Sequence, residues 1–555
     1  VEVLKGPQGT LYGASSIGGL VKYVTVQPDT HEFRVRAGLE GFSIKDAGGL
    51  GWGAQTYVNV PIAQDTLAIS GSFAWRKSPG WVDSVNNAGL TDQNDFEQRG
   101  GRAALLWQPT PQLSVKLAGI WQSLNSDGNG LYAADLSGNR LGNGHSFNNY
   151  FPESYDISLD YYSATIDYDF GAATLTSATT YSKTKSRQVQ DASYAFGVLF
   201  PLLTGGAVDP GITPFYLDLG LKKWTQEVRL TSPSGGRFEW MIGGFFTDEK
   251  TSNAQLVRSY DMNGDPIAGL DPLAIVGLPA TYKEYAIFGN ATLKLAKQFD
   301  VTGGVRWARN KQTFRQISSG AIVPQADDPG SSAESVWTFS VSPQFHINKD
   351  AMLYGRVATG YRPGGPNVIV PNVPPTVSAD RMTNYEVGLK ADLADRMVTV
   401  DVAAFWMDWT DIQVVRSFGG VNGGANGGKA TSKGFEGSIA FRPAPGLTIS
   451  ATGSYTDASL SEDVPEISGA KGDRLPAVPK FSGALRADYD FALGGSAKGS
   501  FGAGVRHASS RLSLVESDPL TARAEPYTSV DLNASVTWDG HWTLRAYARN
   551  LFDNK

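Results

Sequence analysis

The chain has 555 residues, no cysteine and a formal net charge of −6, with charged residues at 18% and aromatic residues at 11%. The absence of cysteine excludes disulfide frameworks, thiol catalysis and cysteine-ligated metal centres, and the small charge gives no basic footprint for a nucleic acid. Soluble domains average about 25% charged residues, so this composition indicates a surface that water covers only in part.

Strict alternation of apolar and polar residues is the dominant pattern after residues 1–30. The segments Thr66–Arg76, Tyr162–Phe170 and Phe481–Phe491 show it clearly. A period of two places successive side chains on opposite faces of a β-strand, and a length of about ten residues matches a tilted strand that crosses a membrane. We count about twenty-one such segments, the last at Trp542–Arg549.

The connections between these segments alternate between short and long. Short ones carry turn residues, as in Pro61–Asp65 and Gln108–Pro111, whereas Ser123–Leu159, Lys185–Lys223 and Glu249–Thr281 are long. Tryptophans lie near both ends of the strands: Trp75, Trp121, Trp224, Trp307 and Trp337 near long loops, and Trp107, Trp240, Trp538 and Trp542 near short turns. This asymmetry, with an aromatic girdle at each end, is typical of an outer-membrane barrel.

The predicted fold class is therefore all-β, a 22-stranded antiparallel transmembrane β-barrel. An even strand number is needed, so the about twenty-one segments counted imply one closing strand after Lys555. A barrel of this width is expected to hold a plug in its lumen. We assign residues 1–30 to the C-terminal remnant of a plug domain and residues 31–555 to the barrel, which lacks its final strand.

The N-terminal sequence Val1–Gly13, followed by Ile17–Gly19, resembles the plug signature of TonB-dependent outer-membrane receptors. In the barrel, Gln226–Leu230, Tyr385–Lys390 and Asn550–Asp553 resemble recurring strand motifs of the same family. The signature residues are Lys5, Gly6, Pro7, Gly9, Tyr12, Gly13, Gly18 and Gly19. The glycines suit a tight turn where side chains would collide with the barrel wall or with adjoining backbone.

This resemblance implies a receptor of the bacterial outer membrane, surrounded by lipid, that takes up a scarce nutrient and is not an enzyme. Its implied partners are the TonB energy-coupling complex, contacted through a segment that precedes Val1, and a small-molecule ligand; no nucleic acid, cofactor or metal site is expected. A ferric siderophore is the first candidate ligand. Cobalamin, a carbohydrate or an aromatic compound are alternatives, and a passive porin or a soluble all-β adhesin are the rival classes.

Four residues are candidates for specific roles. Glu386 and Glu436 alternate with apolar neighbours and should face the lumen, where the resemblance implies that they lock the plug by pairing with its arginines. The alternative is that they are ordinary hydrated carboxylates of a polar interior. Tyr361 and Arg362 end a strand at a long loop, where they could grip an anionic or aromatic ligand or instead stabilise the loop.

Overall fold

Hydrogen-bonded β-ladders cover most of the chain. The structure, a computed structural model, describes residues 1–128, 133, 142, 146–367, 369, 373–418 and 421–554. Within these ranges no helix is long and apolar enough to cross a membrane.

The elements follow one another as a series of antiparallel strands with few helical turns. The first are β1 (Glu2–Lys5), α1 (Gly9–Tyr12), β2 (Gly19–Lys22), β3 (Arg34–Ser43), β4 (Leu50–Ala63), β5 (Leu67–Ser78), β6 (Asp83–Ser84), β7 (Phe96–Thr110), β8 (Leu113–Ser126), β9 (Ser146–Phe147), β10 (Ser154–Asp169) and β11 (Thr174–Asp191). A 3₁₀ turn (Gly197–Leu199) and α2 (Phe200–Leu203) precede β12 (Pro214–Thr231), β13 (Phe238–Val257), β14 (Ala274–Gly277), β15 (Ala280–Ala296), β16 (Phe299–Ser319), β17 (Ala326–Asn348), β18 (Ala351–Arg362), β19 (Gly365–Pro366) and β20 (Thr376–Val377). The remainder are β21 (Asp380–Leu393), β22 (Val398–Thr410), β23 (Gln413–Phe418), β24 (Val421–Asn426), β25 (Lys429–Ala444), β26 (Leu447–Leu460), a 3₁₀ turn (Pro465–Ile467), β27 (Phe481–Gly494), β28 (Ala497–Ala508), β29 (Arg511–Leu512), β30 (Arg523–Ala524), β31 (Tyr527–Trp538) and β32 (Trp542–Ala548).

Twenty-two of these strands form one barrel sheet: twenty-one longer strands and β14, which has only four residues. From β3 to β32 the long strands pair antiparallel in chain order, and the short β14 is inserted between β13 and β16. At the seam the first and last strands meet through side chains: the Tyr547 hydroxyl donates to Glu40 (2.8 Å), and Lys45 pairs with Asp553 (2.5 Å). The predicted all-β, antiparallel barrel is confirmed.

The two faces of the strands have opposite character, as the alternation predicts. Large apolar side chains remain exposed on the outward face, among them Leu39, Ile287, Val387, Phe435 and Leu485. In a water-soluble protein such a surface would be unusually large. Here it forms the lipid-facing belt that a transmembrane barrel requires.

The two rims differ in the length of their connections. Tight turns such as Asn348–Ala351 and Ala444–Leu447 join strands at one rim, and long loops such as 192–213 and 258–273 join them at the other. The long loops are shorter than the sequence indicated, because β8 continues to Ser126 and β10 begins at Ser154. Above the lipid both faces of a strand meet water, so the alternation ends although the backbone ladder continues.

An apolar core holds two of the long loops together. Phe200 and Leu273 are fully buried and pack with Val257, Ile267 and Leu270. The apolar stretch around Phe200 therefore packs at least in part against its neighbouring loop.

Candidate functional site

Residues 1–30, the N-terminal segment, form a compact unit against the barrel wall. β1 and β2 pair antiparallel from Glu2 opposite Lys22 to Lys5 opposite Gly19. Between them the Gln8 N–H donates to the Ser16 carbonyl (2.9 Å), closing a loop that contains α1. The single turn of α1 contacts β15, β16, β17 and β18.

Two glycines of the signature allow the backbone of this segment to approach the wall. A Cβ on Gly9 would lie 2.7 Å from the Thr359 carbonyl oxygen, and a Cβ on Gly13 would lie 2.7 Å from Arg306 Nη2. Gly13 also has φ +73°, a left-handed conformation that side chains disfavour. By contrast, an added Cβ on Gly18 meets nothing within 4 Å. The signature glycines are therefore not equivalent.

A second group of contacts joins the segment to the wall through backbone carbonyls. Arg356 of β18 donates to the Pro7 carbonyl (2.7 Å) and to the Lys5 carbonyl (3.3 Å). Glu386 of β21 lies directly opposite Arg356 in the ladder. Its carboxylate accepts hydrogen bonds from the Tyr354 hydroxyl (2.7 Å) and the Asn384 amide (3.1 Å). Glu386 thus lies beside the arginine that holds the segment.

Glu436 makes the one ion pair between the segment and the barrel in the described ranges. Its carboxylate lies 3.0 Å from Lys5 Nζ. The resemblance implied arginine partners for these glutamates, whereas the partner of Glu436 among the described residues is Lys5 of the signature itself. A polar cavity of about 340 Å³ adjoins the pair and is also lined by Glu386 and Arg356.

A buried cluster that sequence reasoning missed lies where α1 meets the wall. Glu284 of β15 and Arg306 of β16 form an ion pair of 2.8 Å with both side chains only 2% exposed. The hydroxyls of Tyr282 (2.6 Å) and Tyr361 (3.3 Å) also donate to Glu284. The signal available was alternation, which places both charges in the lumen, but it does not reveal that the N-terminal segment covers them.

Tyr361 and Arg362 take positions different from the exposed loop that the sequence indicated. Tyr361 is 1% exposed, and its carbonyl accepts the Ser15 N–H (3.0 Å). Arg362 forms an ion pair of 2.5 Å with the fully buried Asp380 and donates to the Gln413 carbonyl (3.1 Å). In this arrangement Tyr361 is covered by the N-terminal segment, and Arg362 joins the strand end to the next loop.

Comparison with known proteins places this architecture among bacterial receptors. A family model described as "TonB dependent receptor-like, beta-barrel" matches residues 118–551. The pesticin receptor of Yersinia enterocolitica is 26% identical over 495 residues, which cover 87% of this chain and 66% of that protein. The chain thus spans just under two thirds of that relative.

Solved structures share the fold. The ferric yersiniabactin uptake receptor FyuA of Yersinia pestis superposes with a TM-score of 0.83 at 20% identity, covering 99% of this chain and 79% of that one. The siderophore receptor PiuA of Acinetobacter baumannii gives 0.79 at 15% identity, with 99% and 82% covered. The family match, supported by the barrel topology, shows that the chain belongs to the TonB-dependent receptors of the bacterial outer membrane.

Proposed function

We propose that this protein is a receptor for the energised uptake of a ferric siderophore across the outer membrane, and that it is not an enzyme. The observation that carries the proposal is the polar attachment of the N-terminal segment inside a wide barrel, through Arg356, Glu436 and the glycine contacts. These non-covalent contacts hold the segment inside the barrel and can break when the segment is pulled. An energy-coupling partner, the TonB complex, would supply the displacement.

The residue roles in this proposal follow from the contacts. Residues 1–30 act as part of a plug, and Glu436 and Glu386 hold it, Glu436 through Lys5 and Glu386 through its position opposite Arg356. Tyr361 contributes by packing under the plug, so we do not assign it a direct ligand contact. Arg362 is half-exposed and remains a candidate contact for an anionic ligand at the loop side.

The ligand class is supported by relatives whose names refer to ferric siderophores, among them the FyuA receptor described above. Cobalamin, carbohydrate and aromatic ligands are the alternatives within the family. A passive porin is the alternative of another class, and the attached segment argues against it.

Equilibrium binding tests the proposal. The protein, purified in detergent, is titrated with ferric yersiniabactin, ferric enterobactin, cyanocobalamin and a maltodextrin while the fluorescence of its 13 tryptophans is recorded. We expect saturable quenching by a ferric siderophore and none by its iron-free form. Saturation by cyanocobalamin or the maltodextrin alone would replace the siderophore assignment, and saturation by none of the four would refute it.

A further inference from the structure

A row of three lysines crosses the surface of the barrel. Lys183 of β11 lies directly opposite Lys222 of β12, and Lys222 lies directly opposite Lys250 of β13. Side chains at opposed positions of an antiparallel ladder are only about 4.5–5.5 Å apart at Cβ, and like charges there repel one another. The three lysines therefore repel one another unless an anion lies over the row.

The register places these lysines on the outward face. Glu284 points into the lumen, where it is buried, and it lies opposite Thr247 of β13. Lys250 is three residues beyond Thr247, and alternation places it on the other face of the strand. Lys222 and Lys183 share that outward face because they are in register with Lys250.

The lysine row lies two residues beyond an aromatic girdle, on the side of the long loops. Tyr181 and Trp224 are opposed to each other and exposed. Lys183 and Lys222 are two residues closer to the loop 192–213. Aromatic girdles mark the level of the lipid headgroups, so the lysines lie at the height of the headgroups of the outer leaflet.

A groove of about 690 Å³ opens over the row. Gly220, between Lys185 and Ser252 in the ladder, lines the groove and adds no side chain to its floor. Arg187 also lines the groove, but Asp218 neutralises it with an ion pair of 2.9 Å.

The lysines of the groove lack such neutralisation. Within the ranges that the structure describes, none of its four lysines forms an ion pair: Lys183, Lys185, Lys222 and Lys250. Two carboxylates lie on the other flank: Asp156, which lines the groove, and Asp160, directly opposite Lys183 in the ladder. With Asp218 counted as well, Arg187 and the four lysines still outnumber these acids. The groove thus presents a net positive charge on a protein whose total charge is −6.

We propose that this lysine row binds the phosphate groups of a lipid in the outer leaflet. A phosphate over Lys222 would accept charge-assisted hydrogen bonds from the row and replace its repulsion with attraction. The acyl chains of the same lipid would lie against the exposed outward side chains below the girdle, such as Val228. A phosphorylated lipid satisfies both surfaces, which a free phosphate does not.

Lipid binding to the purified protein tests this site. The protein in a non-ionic detergent is titrated with diphosphorylated lipid A and with the same lipid freed of phosphate. We expect saturable binding of the phosphorylated form only, weakened roughly 100-fold by the triple substitution of Lys183, Lys222 and Lys250 with Gln. Lys297→Gln with Lys498→Gln, on the short-turn rim, is the matched control and should leave binding unchanged.

Stability provides a second readout. Without lipid, the triple variant should unfold at a higher temperature than the parent, because the repulsion is gone; with diphosphorylated lipid A the order should reverse. If the triple variant does not insert, Lys222→Gln alone should weaken binding roughly fivefold. Equal binding by parent and variant, equal binding of phosphate-free lipid, or displacement of the lipid by inorganic phosphate would each overturn the proposal.

Discussion

Gly13→Ala tests whether close backbone approach holds the N-terminal segment against the wall. The added Cβ would lie 2.7 Å from Nη2 and 2.9 Å from Cζ of Arg306. Arg306 cannot readily move aside, because it is 2% exposed and paired with Glu284. At φ 73° and ψ −141° an alanine occupies a sparsely populated backbone region that costs about 1–3 kcal/mol, and overpacking adds about 1–3 kcal/mol, so the attached state should lose about 2–6 kcal/mol. The detached fraction should then rise roughly 30-fold to 20,000-fold.

Cysteine labelling measures that fraction, since the chain has no cysteine of its own. Thr10 lies in α1 and is 6% exposed, so a Thr10→Cys background should react slowly with a maleimide. Adding Gly13→Ala should raise the labelling rate by the same factor as the detached fraction of the N-terminal segment. Gly18→Ala is the matched control, because its Cβ meets no atom within 4 Å. Equally slow labelling of both variants would show that close backbone approach at Gly13 does not hold the segment against the wall.

Three further changes probe other parts of the account. Glu284→Gln leaves Arg306 buried without its counter-ion and should cost about 3–5 kcal/mol in urea unfolding; an unchanged midpoint would contradict the buried pair. Leu485→Arg, at an outward position that is 50% exposed, should cost about 2–4 kcal/mol in lipid, and no penalty would argue against a lipid-facing surface. The Arg258 guanidinium donates to Asp271 and, against the opposing effect of burial, holds the pKa of that carboxyl below its usual range. This pair therefore stabilises its loop at pH values above the ordinary aspartate pKa of about 3.9. Hydrogen-exchange protection of the loop should fall as pH drops through the depressed pKa, and protection lost already near neutral pH would contradict this.

The barrel was predictable because its environment imposes a simple pattern. Lipid on one side and a polar lumen on the other make side chains alternate, as in Phe481–Phe491, and that alternation identified the strands and the orientation of Glu386 and Glu436. The bounds of the long loops were less accurate, since beyond the lipid no such pattern constrains β8 or β10.

The contacts of the N-terminal segment were not predictable in the same way. Alternation shows that Glu284 and Arg306 face the lumen, but only the three-dimensional path of residues 1–30 buries them. The burial of Tyr361 was not predictable for the same reason: it lies at a strand end beside a loop, as predicted, but the turn at Ser15 covers it. Lys5 belonged to the signature, but its pairing with Glu436 depends on a distance that the sequence does not contain.

Uptake of iron by whole cells tests whether the receptor imports a ferric siderophore only when TonB supplies energy. Cells that carry the receptor gene are given radioactive iron as the ferric siderophore that binds in the titration, in matched strains with and without TonB. We expect saturable uptake that is lost without TonB. Equal uptake in both strains would contradict it, because iron would then be passing through an open pore.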